Sequence, residues 1–277
     1  MKARSSNIPE DEQPRLAVLI DADNAQASVI GELLAEVAKY GVASVKRIYG
    51  NFTTQQLASW KEPLLKYSII PVQQFAYTTG KNATDSALII DAMDLMHAGR
   101  LDGFCLVSSD SDFTRLAQRL REQGLIVYGF GQRKTPDAFV QACDKFIYTE
   151  VLRSDSSSAA SNATVAQSST PTANLSGSSH PTSPPAPVKA AAPLPSPVTL
   201  IRQAIEQAGG EQEWVPLGPV GNYLNKIRPD FDTRLYKKKK LSDLLREYPK
   251  DFQLEESSLP GSPAKVLRVR ALPEEPF

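Results

Sequence analysis

Two short runs, LAVLI at 16–20 and GFCLV at 103–107, contain no charged side chain. A strand with one wet face alternates apolar and polar residues, whereas a strand covered on both faces reads as a continuous apolar run. Both segments are therefore expected to be interior strands of a sheet with helices on each side. The sequence around them keeps that rhythm. Ile30, Leu33, Leu34 and Val37 recur at helical spacing and the pattern stops near Gly41. Further strands are expected at 44–49, 69–75, 125–130 and 145–148, and helices at 55–66, 84–97 and 112–123, the last closed by Gly124. Strands alternating with helices in this way build a parallel, doubly wound α/β sheet.

From residue 153 to residue 197 the composition changes to almost only Ser, Ala, Thr and Pro. Such a stretch lacks the apolar surface to offset its ordering entropy and is expected to be a disordered linker. As a flexible coil it would reach roughly 35–40 Å, far enough for two modules to hold one ligand together. The expected organisation is a polar leader over 1–14, the α/β domain over 15–152, the linker over 153–197, a second module over 198–271 and a tail over 272–277. The second module reads as helices at 198–208, 217–227 and 240–248 and a hairpin from 252–254 and 266–269, the outline of a small winged helix-turn-helix.

Lys+Arg and Asp+Glu each number 31 in 277 residues, so no global field marks a polyanion binder and any such contact must be local. The leader has no signal-peptide core, and no apolar run approaches the ~20 residues that span a bilayer. Cys105 and Cys143, the two thiols, lie in apolar surroundings. That argues against a disulfide framework or a thiolate zinc site and places the chain in a reducing cytoplasm.

The acidic residues fall where a parallel sheet gathers its ligands. The run at 16–20 is followed by Asp21-Ala22-Asp23-Asn24, and the run at 103–107 by Ser108-Ser109-Asp110-Ser111-Asp112; Asp85 stands at the start of the helix expected over 84–97. Strand carboxyl ends and helix N-termini share one edge of such a sheet, so Asp21, Asp85, Asp110 and Asp112 are expected to converge. Two carboxylates 4 Å apart repel by about 4 kcal/mol at an effective dielectric of ~20, so the cluster must take up protons or a cation. With oxygen donors only, Mg²⁺ or Mn²⁺ suits the set better than Zn²⁺. His97, in the last turn of a helix, and His180, in the linker, are not ligand candidates. Such an ion activates water for phosphodiester hydrolysis, and a second one about 3.5–4 Å away would steady the leaving oxygen. Asp21, Asp85 and Asp110 are expected as direct ligands, with Asp112 direct or acting through water. Asn24 would orient a ligand or touch phosphate, and Lys81 would approach the nucleic-acid backbone. The plainer reading is that Asp and Ser after strands cap helices, the default for Asp85 and Asp112 taken singly. Asp91 and Asp94, about 240° and 180° around the helix from Asp85, are expected to be structural or surface residues.

The segments LAVLIDADN, GKNATDSALIIDAMDL, FCLVSSDSDFTRLAQRLREQG and LIVYGFG, in that order, resemble the NYN family of PIN-like nucleases, particularly its LabA-like branch. The resemblance implies a PIN-like α/β fold and Mg²⁺- or Mn²⁺-dependent cleavage of RNA, with the acidic role on Asp21, Asp85, Asp110 and Asp112. Ala22 and Ser109 stand where the family usually has Gly or a similar small residue. The second module, through WVPLGPVGNYLNKIRP and PDFDTRLYKKKKLSDLLREYPKDFQLEE, resembles the OST-HTH or LOTUS domain. That resemblance implies binding of RNA, structured or G-rich, and in some relatives of a protein partner. Lys237 follows Tyr236 where that family commonly has Gly. Tyr236 with Lys237, Lys238, Lys239 and Lys240 forms a local cationic patch in a neutral chain, suited to base stacking and phosphate contacts; its plainer reading is a solvated charge run. Leu241, Leu244 and Leu245 read as core.

Two other functions fit part of this pattern. Asp21 and Asp23 could be the nucleophile and acid of a haloacid-dehalogenase-type phosphatase, but Ala25 stands where that family expects Thr or Val, and Asp85 would have no role. A catalytically silent RNA-binding regulator would keep the same pocket without turnover.

Overall fold

The computed structural model describes residues 13–75, 83–157, 196–209, 213–258 and 265–273. The first strand, β1 (Arg15–Asp21), is buried from its second residue onward. Its side chains alternate between two cores: Ala17 and Leu19 enter one, while Leu16, Val18 and Ile20 enter the other. Helix α1 (Ile30–Val37) lays Ile30, Leu33 and Val37 on the second core and leads to β2 (Val42–Gly50), parallel to β1. The helix expected over 55–66 is split into a 3-10 stretch, Gln55–Trp60, and α2 (Lys61–Lys66). Pro63 lies in the first turn of α2 and lacks the N–H that a continuous α-helix would need there. β3 (Ile70–Gln73) then pairs with β2.

Helix α3 (Ala83–His97) crosses to the opposite face, seats Leu88 and Ala92 in the first core and leads to β4 (Gly103–Val107), which pairs with β1. β4 divides its side chains as β1 does, with Phe104 and Leu106 in the first core and Cys105 and Val107 in the second. A 3-10 turn (Ser111–Phe113), α4 (Thr114–Glu122), β5 (Ile126–Gly131), α5 (Asp137–Ala142), β6 (Lys145–Tyr148) and α6 (Thr149–Ser157) complete the domain. The six strands are parallel in the order β3-β2-β1-β4-β5-β6. The chain moves outward from β1 to β3, returns through α3 and moves outward again from β4. The order reverses between β1 and β4, the place where open α/β sheets bind ligands. Helices α5 and α6 are additions to the expected pattern. The linker boundary expected at residue 153 falls inside α6, whose Val151 and Leu152 are buried. Nearly all of the leader, most of the Ser/Ala/Thr/Pro stretch and the loop holding Lys81 lie outside the described residues.

The C-terminal domain comprises α7 (Pro197–Gly209), β7 (Val215–Pro216), α8 (Leu217–Ile227), a 3-10 turn (Thr233–Tyr236), α9 (Leu241–Leu245), β8 (Phe252–Ser258) and β9 (Lys265–Ala271). The strands form an antiparallel sheet ordered β7-β9-β8 over a core that includes Ile201, Ile205, Val220, Leu224, Leu244 and Leu245. Helix α9 stops short of the expected residue 248, where Pro249 disfavours a helical Tyr248. Lys237 closes the 3-10 turn at φ +60, a left-handed conformation that costs a residue with a Cβ roughly 1–2 kcal/mol.

The two domains touch. The Phe146 N–H of β6 donates to the Pro229 carbonyl at 2.9 Å, and the Tyr148 hydroxyl donates to Asp230 at 3.0 Å. Arg228 also donates to Asp230, through Nε at 3.0 Å and Nη2 at 2.9 Å. Arg234 donates from both terminal nitrogens to the two oxygens of Glu36, each at 3.0 Å, and from Nη2 to Asp232 at 2.7 Å. The Glu36 side chain is only 5% exposed. Burial alone would raise its pKa, but the hydrogen bonds and charges of Arg234 and Lys39 bring it down to about 2.

Removing one partner of a buried ion pair strands the other and costs about 3–5 kcal/mol. Arg234→Met is therefore expected to release the C-terminal domain, read as an increased radius in solution scattering and faster amide exchange at Phe146; an unchanged radius would refute the contact. Because the Glu36 carboxyl is depressed from 4.5 to about 2, its contribution is complete above pH 4.5 and lost as pH falls through about 2. Lys237→Gly should stabilise the C-terminal domain by about 1 kcal/mol, read as a higher denaturant midpoint.

Candidate metal centre

Asp21 ends β1 at the point where the strand order reverses, and it is fully buried. Its carboxylate accepts hydrogen bonds from Ser108 Oγ at 2.7 Å, Asn24 Nδ2 at 2.7 Å and the Asp23 amide at 3.0 Å. Burial raises the Asp21 pKa and outweighs those three donors, which favour the ionised form. Ser108 follows β4 directly, and its hydroxyl accepts from the Asp110 amide at 3.0 Å. The β1 and β4 carboxyl ends are thus tied through one serine. Asp110 in turn accepts from the Asp112 amide at 2.9 Å and caps the turn Ser111–Phe113. The capping role expected of Asp112 belongs to Asp110, whose extended backbone (φ −87, ψ 133) is what an N-cap requires.

Asp85 lies in the first turn of α3. It, Asp110 and Asp112 each offer one carboxylate oxygen, and these atoms lie within 4.8 Å of one another. Asp21 is not part of that group of three, yet its charge acts on Asp85. Burial, followed by the charges of Asp21, Asp110, Asp112 and Asp23, pushes the Asp85 carboxyl up to about 6. The helix N-terminus opposes this only weakly.

These residues fit a hard divalent ion. The donors are all oxygens, and two ligands on opposite sides of an ion at 2.0–2.1 Å stand about 4.2 Å apart. At most one pair of the three can lie opposite, so direct ligation by all of them requires the other oxygens to draw closer still, whereas an intervening water relaxes that requirement. Burial first, and the neighbouring carboxylates after it, favour the protonated form of Asp85 where no cation is bound.

Among the other expected residues, Asn24 holds Asp21, and Lys81 lies outside the described residues. Asp91 accepts from Arg47 and Tyr49, fastening α3 to β2 behind Asp85, while Asp94 is exposed. His97 lies with Nδ1 2.8 Å from the Met93 carbonyl, away from the acids in sequence and function. Tyr236 is half-buried beside Phe231, with ring centroids 6.3 Å apart. Lys238 pairs with Glu247, whereas Lys237, Lys239 and Lys240 are exposed. The structure therefore separates the lysine run into one paired and three exposed members. Leu244 and Leu245 are core, as their spacing requires. Ser108, which joins Asp21 to the Asp110 amide, is a residue that reading by charge overlooks. Its signal is a hydroxyl directly after an apolar strand, two residues before an acid.

A sheet of this order with an acid-lined edge at its reversal point defines a PIN-like α/β domain. A family model for the NYN domain matches residues 15–153, about half of the chain, and one for the OST-HTH/LOTUS domain matches 193–262. The chain belongs to the NYN domain family, a family of PIN-like nucleases, and carries an OST-HTH/LOTUS domain. No curated protein matches it. Similar solved structures include a protein of unknown function from Vibrio parahaemolyticus, 16% identical, covering 51% of this chain and 96% of its own, with a TM-score of 0.43. Another is an uncharacterized protein from Nitrosomonas europaea, 42% identical, covering 35% of this chain and 93% of its own, with a TM-score of 0.28. Among the described residues no helix is long and apolar enough to cross a membrane.

With its pKa near 6, Asp85 takes up a proton that competes with a cation only as pH falls below about 6. Because that value lies above the ordinary 3.8, the cation-free domain should gain stability as pH falls from 6 toward 4 and lose it as pH rises through 6. Added Mn²⁺ should raise the melting temperature clearly at pH 7.5 and little at pH 5. Equal shifts at both pH values would show that Asp85 is not a ligand.

Proposed function

We propose that the protein is a Mg²⁺- or Mn²⁺-dependent ribonuclease that hydrolyses RNA phosphodiesters at the aspartate cluster. The observation that carries this reading is the convergence of Asp85, Asp110 and Asp112 within 4.8 Å at the reversal point of an NYN domain. A bound ion would supply an activated water nucleophile and positive charge against the phosphorane-like transition state. The chain's own residues do the placing. Asp85, Asp110 and Asp112 hold the ion directly or through water. Asp21, fixed by Ser108, Asn24 and the Asp23 amide, supplies a buried negative charge behind them. Asn24 orients Asp21, and Lys81 is assigned to the RNA backbone. Tyr236, Lys237, Lys238, Lys239 and Lys240 are assigned to capture of RNA by the C-terminal domain, with a cytoplasmic site of action. Asp21 does not suit the nucleophile of a phosphatase, because it is buried and engaged by three donors.

The test is cleavage of a labelled mixed RNA pool by the full chain with Mn²⁺. Asp110→Asn should lower the rate roughly a hundredfold or more, as loss of a preorganised charge at a reacting centre does. Far-ultraviolet circular dichroism should stay unchanged. Cutting at the wild-type rate by that variant would remove the metal-site assignment. Tight binding of RNA that stays intact in Mn²⁺ would instead identify a silent regulator.

A further inference from the structure

The docked domains flank a cleft of about 710 Å³ at the amino edge of the sheet, where β6 begins with Lys145. The aspartate cluster lies at the opposite edge, beyond the last residues of β1 and β4. The lining of the cleft carries four basic and two acidic side chains, a net charge of +2. Both carboxylates are already engaged: Glu36 and Asp232 are each held by Arg234, and Glu36 by Lys39 as well. Lys145 and Lys239 remain, one from each domain, and among the described residues neither is in an ion pair. Lys145 stands 5.5 Å from the Tyr40 ring centroid. Tyr40 is itself fixed, stacked on Tyr128 with centroids 4.5 Å apart and donating from its hydroxyl to Glu36 at 3.1 Å.

Like charges gathered in one cleft attract an anion of matching charge, and a phosphomonoester carries about −1.5 to −2 at pH 7. Inorganic phosphate alone would leave most of the space empty, because a volume in this range suits a small organic ligand. The remaining walls fit such a ligand. Tyr40 and Phe231 supply aromatic surface, again one from each domain, while Asn225 and Thr233 supply the few polar groups that fix orientation.

We infer that the interdomain cleft binds a nucleoside monophosphate, with the phosphate held by Lys145 and Lys239 and the base against Tyr40 and Phe231. Such a ligand touches both domains. It therefore binds the docked arrangement and not the separated one, and by linkage it stabilises docking. The cleft thus couples free nucleotide to the position of the C-terminal domain. It is independent of the ribonuclease reading, since it lies away from the acids and requires no metal.

The test is calorimetric titration of the full-length protein, in EDTA, with each of the common ribonucleoside monophosphates. At least one should bind in equimolar amount. The matching nucleoside and inorganic phosphate should each bind at least about tenfold more weakly, because joining two contacts in one molecule combines their gains. Lys145→Met and Lys239→Met, one on each domain, should each weaken the nucleotide about fivefold. Saturating nucleotide should also slow amide exchange at Phe146, whose N–H donates across the domain contact to the Pro229 carbonyl. No binding by any nucleotide would overturn the site, as would inorganic phosphate binding equally well. A loss in only one lysine variant, or unchanged exchange at Phe146, would show that the ligand does not bridge the domains and would overturn it too. Binding with both losses and slowed exchange establishes the site whether or not the protein cuts RNA, so the two readings fail separately.

Discussion

The central pair β1 and β4 is buried on both faces, and the rest of the nuclease-type domain follows from that constraint. Neither strand has a face that water could cover, so helices must lie on each side, and the chain must cross the sheet to supply them. Helix α3 makes that crossing, and the crossing is what reverses the strand order between β1 and β4. The reversal leaves a crevice at the carboxyl ends. The first residue beyond β4 and the last of β1 meet there as Ser108 and Asp21, 2.7 Å apart. The same helix that completes the sandwich delivers Asp85 to the crevice from its first turn. Chemistry and packing are thus set by one topological event, and the acids crowd together because the core leaves their elements no other place to end.

Much of this was legible in the residues. Uninterrupted apolar runs mark β1 and β4 because two-sided burial leaves no room for alternation, and acids directly after such runs can lie only on one edge. What the residues do not show is how four similar carboxylates divide their tasks. Asp21 and Asp110 both follow a buried strand, yet one is fully buried and bound by three donors while the other caps a turn. The difference depends on backbone angles and on which hydroxyl sits opposite, neither of which has a periodicity. Helix α5 has six residues, fewer than two turns, and α6 begins directly at the end of β6 and runs into the Ser-rich stretch, so neither stands out as a separate periodic segment. The Glu36–Arg234 pair spans 198 residues. No local pattern links them, and each taken alone reads as an ordinary surface charge.

The domain contact changes what the long Ser/Ala/Thr/Pro stretch is for. A tether raises the local concentration of a second module, but leaves its orientation to chance. The bidentate Arg234–Glu36 pair and the Asp230–Tyr148 bond set that orientation, at the cost of desolvating a carboxylate that three polar groups then compensate. The strained backbone at Lys237 belongs to the same loop. A residue with a Cβ occupies a left-handed position there although glycine would sit with less cost, and the side chain it adds is a cation on the exposed side.

Parallel sheets end in two margins whose unpaired amides and carbonyls invite further strands, including those of other copies. On one margin β3 includes Pro71, which has no amide hydrogen to offer. On the other, the amide of Phe146 already donates to the Pro229 carbonyl, so the docked domain acts as a cover. A chain that lost this contact through proteolysis or truncation would expose a raw β6 edge. Its first symptom would be self-association, before any change in its chemistry.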